Sequence, residues 1–349
     1  MPPLLRLKEI RVSEQDRWKA MESGALDIIE NNAEASGESE HSFTVRVPAS
    51  TSNLGAGFDT FSLALQLYLT VTARVVPGAS AICRVNSSGE GSTSGLLSST
   101  EDNLIFRAMS FAAQREGWNL PHVQLDVDNE LPLGRGLGSS AAAIVAGITL
   151  GSLIGGKELA ADTVLRYAFE MEGHADNVAA AYHGGFVVSC VKQDGSVLAV
   201  KRSWPRDLKV IVVSPDALLK TAEMRNALPA AIEREAAVHN LQRVALFGAA
   251  LETGDYDLLG EAMRDRMHQP YRQSLVPGLA DALATKPQAG LVGVALSGSG
   301  PSVIALARDH LNEIGETIAN SFRDHGMPAT VRLLEVDGEG CKATVVESL

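Results

Sequence analysis

Cysteine is scarce in this chain, and basic runs are missing. Only Cys83, Cys190 and Cys341 occur among 349 residues. An odd, scattered set without a C-x-x-C gives no disulfide framework and suits a reducing cytoplasm. Lys plus Arg number 30 against 42 Asp plus Glu, a formal net charge of −12. An acidic body with no basic run repels phosphate backbones, so nucleic-acid partners and docking on an anionic membrane are not expected. The opening Met1-Pro2-Pro3-Leu4-Leu5-Arg6 meets a charge before any long apolar core and does not read as a signal peptide. Residues 136–156 carry no charge between Arg135 and Lys157, close to the roughly 20 residues a membrane span needs. Six of them are Gly and three are Ser, so the stretch reads as a loop feeding a buried helix. No H-E-x-x-H occurs, which argues against a protein-held zinc.

Apolar material is plentiful. The chain is 45% hydrophobic and 21% charged, enough for a sizeable core and incompatible with wholesale disorder. At roughly 150 residues per domain the length suggests two domains. Residues 1–41 are polar and acidic around Glu30–Glu40 and read as a flexible leader, with a short helix near 14–30. Two units are expected after it, 42–203 and 204–349, the second opening near Trp204-Pro205.

Apolar alternation predicts strands at 43–47, 70–76, 81–86, 123–127, 185–191 and 197–201 in the first unit. Pro77-Gly78 links two of them, and the six Ser and three Gly of 87–99 make a flexible loop. Asp102 is placed to cap a helix that ends near Gly117, and further helices are expected at 139–154, 159–172 and 175–182. Asp194-Gly195 signals a hairpin. In the second unit strands are expected at 208–213, 290–296, 302–306 and 329–336, with helices at 229–252, 255–267 and 309–325. Strands and helices mix without a strict βαβ rhythm, so the fold class is α+β.

The segment richest in chemistry is Pro132-Leu133-Gly134-Arg135-Gly136-Leu137-Gly138-Ser139-Ser140-Ala141-Ala142-Ala143. A strand precedes it and a helix follows. Glycines let backbone N–H groups approach a ligand closely, and a helix N-terminus adds free donors and partial positive charge. The design suits an oligophosphate, with Ser139 and Ser140 placed to donate to phosphate or to ligate Mg²⁺. The Walker pattern fails because no Lys lies between Arg135 and Lys157, and G-x-G-x-x-G fails because position 139 is Ser. The alternative is a plain turn into a buried helix.

This loop resembles the phosphate loop of the GHMP kinases. Two further segments, in the family's order, resemble its other motifs: Val47-Pro48-Ala49-Ser50-Thr51-Ser52-Asn53-Leu54-Gly55-Ala56-Gly57-Phe58-Asp59 and Gly293-Val294-Ala295-Leu296-Ser297-Gly298-Ser299-Gly300-Pro301-Ser302. The resemblance covers about 43–340. Within the superfamily it is strongest to the homoserine kinase branch. Glu172-Gly173-His174-Ala175-Asp176-Asn177-Val178 followed by Gly184-Gly185, Thr221-Ala222-Glu223-Met224-Arg225-Asn226-Ala227-Leu228-Pro229, and His268-Gln269-Pro270-Tyr271-Arg272 are similar to segments of that branch. The first motif departs from the usual P-A-T-S-A-N-L-G-P-G-F-D at Ala49-Ser50-Thr51-Ser52 and Ala56, keeping Asn53 and Asp59 in register.

The resemblance implies a two-domain fold, with an ATP-binding domain over 42–203 and a ferredoxin-like α+β domain over 204–349. It implies ATP and Mg²⁺ as cofactors, L-homoserine as substrate and a homodimer. Residues 132–141 would hold the phosphates and Asn103 would assist with the nucleotide. Ser140 and Glu172 would hold Mg²⁺, with Glu170 as a competing carboxylate. Asn53, Asp59, Thr221, Arg225, Arg272, Gly298, Ser299 and Gly300 would bind substrate, and His174, Asp176 and Asn177 would serve at the reacting end. Chemistry agrees with a zwitterion: guanidinium forks at Arg225 and Arg272 match a carboxylate, and Asp59 matches an ammonium. For the hydroxyl proton two routes stand open, Asp176 as base or no side-chain base at all. Bland readings also stand beside these: Arg225 as a solvated charge, Asp59 as a turn residue, His174 as a loop histidine. The competing functions are another small-molecule kinase of mevalonate or shikimate type, and a non-catalytic nucleotide-binding regulator.

Overall fold

The computed structural model describes residues 41–76, 82–92, 100, 102–217 and 221–347. The expected leader with its helix at 14–30, the Pro77-Gly78 link and the 93–99 part of the serine-rich loop lie outside the described residues. In chain order the first part holds β1 (His41–Asn53), β2 (Gly57–Val75), β3 (Cys83–Gly89), α1 (Leu104–Glu116), β4 (Val123–Asn129), α2 (Ser139–Ile154), α3 (Ala161–Glu172), α4 (Asp176–His183), β5 (Phe186–Val191) and β6 (Val197–Arg202). Then follow β7 (Lys209–Pro215), α5 (Thr221–Asn226), α6 (Arg234–Thr253), α7 (Leu259–Ala262), α8 (Gln269–Arg272), α9 (Leu279–Leu283), β8 (Leu291–Leu296), β9 (Val303–Ala307), α10 (Leu311–Arg323), β10 (Ala329–Leu334) and β11 (Lys342–Glu347).

β1 and β2 form the spine of a seven-stranded sheet with the order β11-β1-β2-β4-β3. β2 is long enough to serve two partners: Leu69–Val75 pairs with β4, and Phe61–Leu63 pairs with β5, which carries β6. β3 and β4 run parallel, and α1 makes the crossover between them. The sequence pattern suggests only 70–76 of β2. The strand begins at Gly57 instead, and β1 pairs along its whole length through irregularities at Pro48/Ala49 and Ser52/Asn53. Such bulges hide the period-2 pattern while preserving the ladder. β11 was not anticipated; it lies antiparallel beside β1.

Helix α2 runs over the expected residues and is buried from Ala141 to Ser152 except at Ala143 and Thr149. A helix apolar on all sides must be interior. The cap of α1 differs from expectation. Asn103, not Asp102, is the N-cap, its Oδ1 accepting from Ile105 N at 3.0 Å while Asp102 stays exposed. Gly117 ends the helix with φ 80°.

The second sheet, β10-β7-β9-β8, is antiparallel throughout. Both its faces are covered, which explains the unbroken apolar run of β7. Val210 and Val212 join the large core under the first sheet, while Ile211 and Val213 face the core formed with α9 and α10. The expected helix at 229–252 starts only at Arg234, and the one at 255–267 breaks into a short 3₁₀ turn and α7. Asp265 explains the break: it accepts the N–H groups of Met267, His268 and Gln269, turning the chain into α8. The architecture is α+β, as the pattern implied.

Phe247 of α6 is fully buried against Phe61 and Phe186, with ring centroids 5.0 Å and 5.6 Å away. It ties α6 to the first sheet. Phe247→Ala should lower stability by about 3–5 kcal/mol, read from urea unfolding; a loss under about 1 kcal/mol would mean α6 is not held by this contact.

Candidate active site

The phosphate loop is wedged between two other segments. On one side the Ser50 N–H donates to the Leu137 carbonyl at 3.1 Å. On the other, Ser297 Oγ donates to the Gly136 carbonyl at 2.6 Å. The flanking segments also meet each other: Gly298 N–H donates to the Ser52 carbonyl at 3.1 Å, and Asn53 Nδ2 to the Gly298 carbonyl at 2.8 Å. Space in the wedge is minimal. A Cβ on Gly138 would lie 2.1 Å from Ser50 Oγ, and one on Gly136 would lie 2.2 Å from the Ser297 carbonyl. Both glycines also hold positive φ, 69° and 72°. Gly138 caps α2 without a side-chain hydrogen bond, so the first N–H groups of the helix are kept for something else. An oligophosphate suits those donors.

A cleft of about 550 Å³, mouth included, opens over this loop. Of the residues expected from the sequence it brings together Asn53, Asp59, Gly134, Arg135, Gly136, Gly138, Ser139, Ser140, Glu172, His174, Asp176, Asn177, Arg225, Arg272, Gly298 and Ser299. Others stand back. Leu137 and Ala141 are buried under the loop. Asn103 sits at the head of α1 as its cap. Pro132 lines a separate crevice with Arg332 and Glu90. Leu133 and Gly300 continue the loop and the opposing turn, and Thr221 is the first residue of α5. Arg135 also reaches outward, its Nη1 donating to the Pro215 carbonyl at 2.8 Å and its Nη2 pairing with Asp216 at 2.7 Å. Ser52 and Phe58 line the cleft without having been singled out. Their signal was position alone, inside the first motif.

At one end Ser140 Oγ donates to Glu172 Oε1 at 2.5 Å. Burial, the largest influence, raises the Glu172 pKa, against the Ser140 hydrogen bond and the His174 charge. A hydroxyl beside a buried carboxylate is an all-oxygen donor pair of the kind Mg²⁺ takes together with phosphate oxygens. His174 lies between two acids, 3.8 Å from Glu172 and 3.4 Å from Asp176. Burial disfavours its charged form, yet Asp176 and Glu172 together raise its pKa. Asp176 is 2% exposed. Burial again opposes its charge, but His174 and the Asn177 N–H at 2.7 Å lower its pKa overall. Asn177 is fixed on both sides, its Oδ1 accepting from Ser50 Oγ and its Nδ2 donating to Ser52 Oγ, each at 2.9 Å.

At the other end Arg225 grips Asp59 with both Nη atoms, at 3.2 Å and 2.8 Å. Asn53 Oδ1 accepts the Asp59 N–H at 3.0 Å, which supports Asp59 at its φ of 53°. Arg272 lies beside them, 1% exposed, and burial followed by the Arg225 charge lowers its pKa to about 10. Both guanidinium groups sit over the Phe58 ring, at 5.7 Å and 5.6 Å.

The site is thus a glycine loop at a helix N-terminus facing a charged, two-signed pocket. Comparison with known proteins gives the same class. The family model for the GHMP kinase N-terminal domain matches residues 103–185, and that for the C-terminal domain matches 248–324. This chain belongs to the GHMP kinases, ATP-dependent kinases built on two domains. It is 37% identical to the homoserine kinase of Persephonella marina, over 87% of this chain and 98% of that protein. It is 40% identical to that of Deinococcus radiodurans, over 87% and 97%. The homoserine kinase structure from Cytophaga hutchinsonii superposes with a TM-score of 0.76 at 30% identity, covering 87% of this chain and 97% of that one. Within the GHMP kinases, the chain belongs to the homoserine kinases. A mevalonate kinase structure from L. major, at 17% identity and a TM-score of 0.60, shares the fold.

Gly138→Ala should weaken ATP binding by about tenfold or more, because the added methyl is strained at positive φ and displaces Ser50 or the loop. Titration with a fluorescent ATP analogue reads this; unchanged affinity would show that the wedge does not shape the nucleotide site.

Proposed function

We propose that this protein transfers the γ-phosphoryl group of ATP to the side-chain hydroxyl of L-homoserine, giving O-phospho-L-homoserine on the route to threonine. The observation that carries the reading is the Asp59–Arg225–Arg272 group at the end of the cleft opposite the α2 N-terminus. A zwitterionic amino acid exchanges the internal pair for two external ones. Its ammonium takes Asp59, and its carboxylate takes Arg225 with Arg272. Arg is suited to this because its fork matches a carboxylate bidentately. A plain hydroxy acid that takes Arg225 leaves Asp59 unpaired in a half-buried site, and a neutral sugar offers the Asp59–Arg225 pair nothing in exchange.

At the phosphate end the backbone of Gly136–Ser139 cradles the oligophosphate. Ser140 and Glu172 supply a hydroxyl and a carboxylate for Mg²⁺, whose contribution when bound is charge neutralisation at the phosphates. The loop's one cation, Arg135, is engaged by the Pro215 carbonyl and Asp216, so little of that neutralisation comes from it. Asn53, Gly298 and Ser299 line the cleft between the two ends and orient the substrate. Phosphoryl transfer asks chiefly for such placement and charge compensation.

Asp176 is the candidate acceptor for the hydroxyl proton. Its lowered pKa keeps it ionised at neutral pH, as acceptance requires, while making it a weaker base. His174 beside it has its pKa raised by Asp176 and Glu172 against burial, so it stays available to donate to an anionic substrate end.

An ADP-release assay with Mg-ATP and a panel of L-homoserine, mevalonate, shikimate and galactose tests the function. Selective turnover of L-homoserine is expected; turnover of another alcohol in its place overturns the substrate reading and keeps the phosphate site. Asp176→Asn should reduce kcat on the order of 100-fold or more if Asp176 is the base. Near-normal kcat in that variant assigns Asp176 to holding His174 and Asn177 only.

A further inference from the structure

Arg272 is almost wholly buried, yet it lines the cleft. A guanidinium carries five N–H donors and no acceptor, so its orientation is set by the acceptors around it. Nε donates to the Met224 carbonyl at 3.1 Å. Nη1 lies 3.1 Å from Nδ1 of His268 and makes a longer contact, 3.4 Å, with the Gly298 carbonyl. Among the described residues Nη2 has no hydrogen-bond partner, and it is left for the cleft.

His268 is 0% exposed, and its two ring nitrogens specify one protonation state. Nε2 lies 2.9 Å from the Gly55 carbonyl. A carbonyl only accepts, so Nε2 carries the proton. Arg272 Nη1 only donates, so Nδ1 carries the lone pair. Both demands are met by the neutral Nε2–H tautomer alone. The ring also stacks on Phe58, centroids 5.1 Å apart and planes 26° apart. The charged groups around it are Asp265 from its own turn, 3.6 Å from Nε2, Arg272 from α8 and Asp59 from β2. Burial, with Arg272, lowers the imidazole pKa against the opposing pull of Asp265 and Asp59. Asp265 is largely occupied elsewhere, accepting three backbone N–H groups and Asn240 Nδ2 at 2.7 Å.

We propose that His268 is a positioning residue for the amino-acid substrate: the Gly55 carbonyl fixes its tautomer, and its Nδ1 holds Arg272 so that Nη2 faces the substrate carboxylate. The inference rests on the reading of Arg272 as a carboxylate ligand. His268 itself touches no reacting atom.

Two substitutions separate its ring nitrogens. In His268→Gln the amide nitrogen can reach the Nε2 place and keep the Gly55 contact, but no acceptor stands where Nδ1 was. In His268→Asn the Oδ1 falls near Nδ1 and retains the acceptor. His268→Gln should raise KM for L-homoserine about tenfold, the loss of one charge-assisted hydrogen bond, with kcat and KM for ATP within about twofold. His268→Asn should stay within about threefold of the parent KM. Equal effects, or the reverse order, would place the role in the Gly55 contact and overturn the proposal. In an Arg272→Lys background His268→Gln should add nothing further to KM; additive losses overturn it as well. The ¹⁵N shifts of the wild-type ring, which need no variant to fold, should show a neutral Nε2–H imidazole at pH 7. An Nδ1–H tautomer or an imidazolium contradicts the account. If wild-type protein fails to turn over L-homoserine, the substrate reading fails, while the ring measurement still decides the tautomer.

Discussion

Everything at the site depends on the clamping of one glycine loop between two strands' ends. The loop carbonyls of Gly136 and Leu137 are taken by Ser297 Oγ and Ser50 N–H. The two clamping segments are joined in turn by Gly298 and Asn53. With those carbonyls engaged behind, Gly136, Gly138 and the first residues of α2, Ser139 and Ser140, line the cleft. Backbone donors held in this way need no reorganisation when charge arrives, which is the advantage of preorganised electrostatics over flexible lysines. Residues from three distant stretches of sequence meet within hydrogen-bond distance, so the loop is shaped only once both sheets are in place.

The charged end obeys a different rule. Asp59 and Arg225 compensate one another, Arg272 adds a second positive charge beside them, and a zwitterion can take over the pairing. The group stays near the surface at Asp59 and Arg225, each 36% exposed, where the cost of rearranging an ion pair is modest. Arg272 is buried and cannot rearrange so freely. It is therefore held by fixed acceptors, Met224 and His268, and Phe58 lies against both guanidinium groups. A half-exposed cation and a rigid buried one thus stand side by side over Phe58.

Much of this was legible in the sequence. The three glycine-rich motifs, the span of α2 and the α+β class follow from local composition and period. The clustering of Asn53, Asp59, Ser140, Glu172, Arg225 and Arg272 followed from resemblance, not from any local pattern, since they lie on six different elements. What stayed hidden has physical causes. The first half of β2 is masked by bulges, and the break in the helix at 255–267 comes from Asp265 accepting the N–H groups of the three residues Met267, His268 and Gln269 that follow it. The Asn103 cap was assigned one residue early because Asp and Asn are equally good caps. That Asp59 and Arg225 satisfy one another, and that His268 stands behind Arg272, are contacts across more than 160 residues and across one helical turn. No residue pattern announces the first, and the second is one of many i, i+4 pairs.

The account's central claim is that the cradle and the two-signed pocket are opposite ends of a single reaction cleft. A crystal structure with L-homoserine and a non-hydrolysable ATP analogue tests it most directly. The account predicts phosphates on the Gly136–Ser140 backbone and the amino acid held with its carboxylate on Arg225 and Arg272, its ammonium on Asp59 and its hydroxyl turned to the γ-phosphate. An amino acid bound outside this cleft, or held with Asp59 and Arg225 still paired to each other, would contradict it.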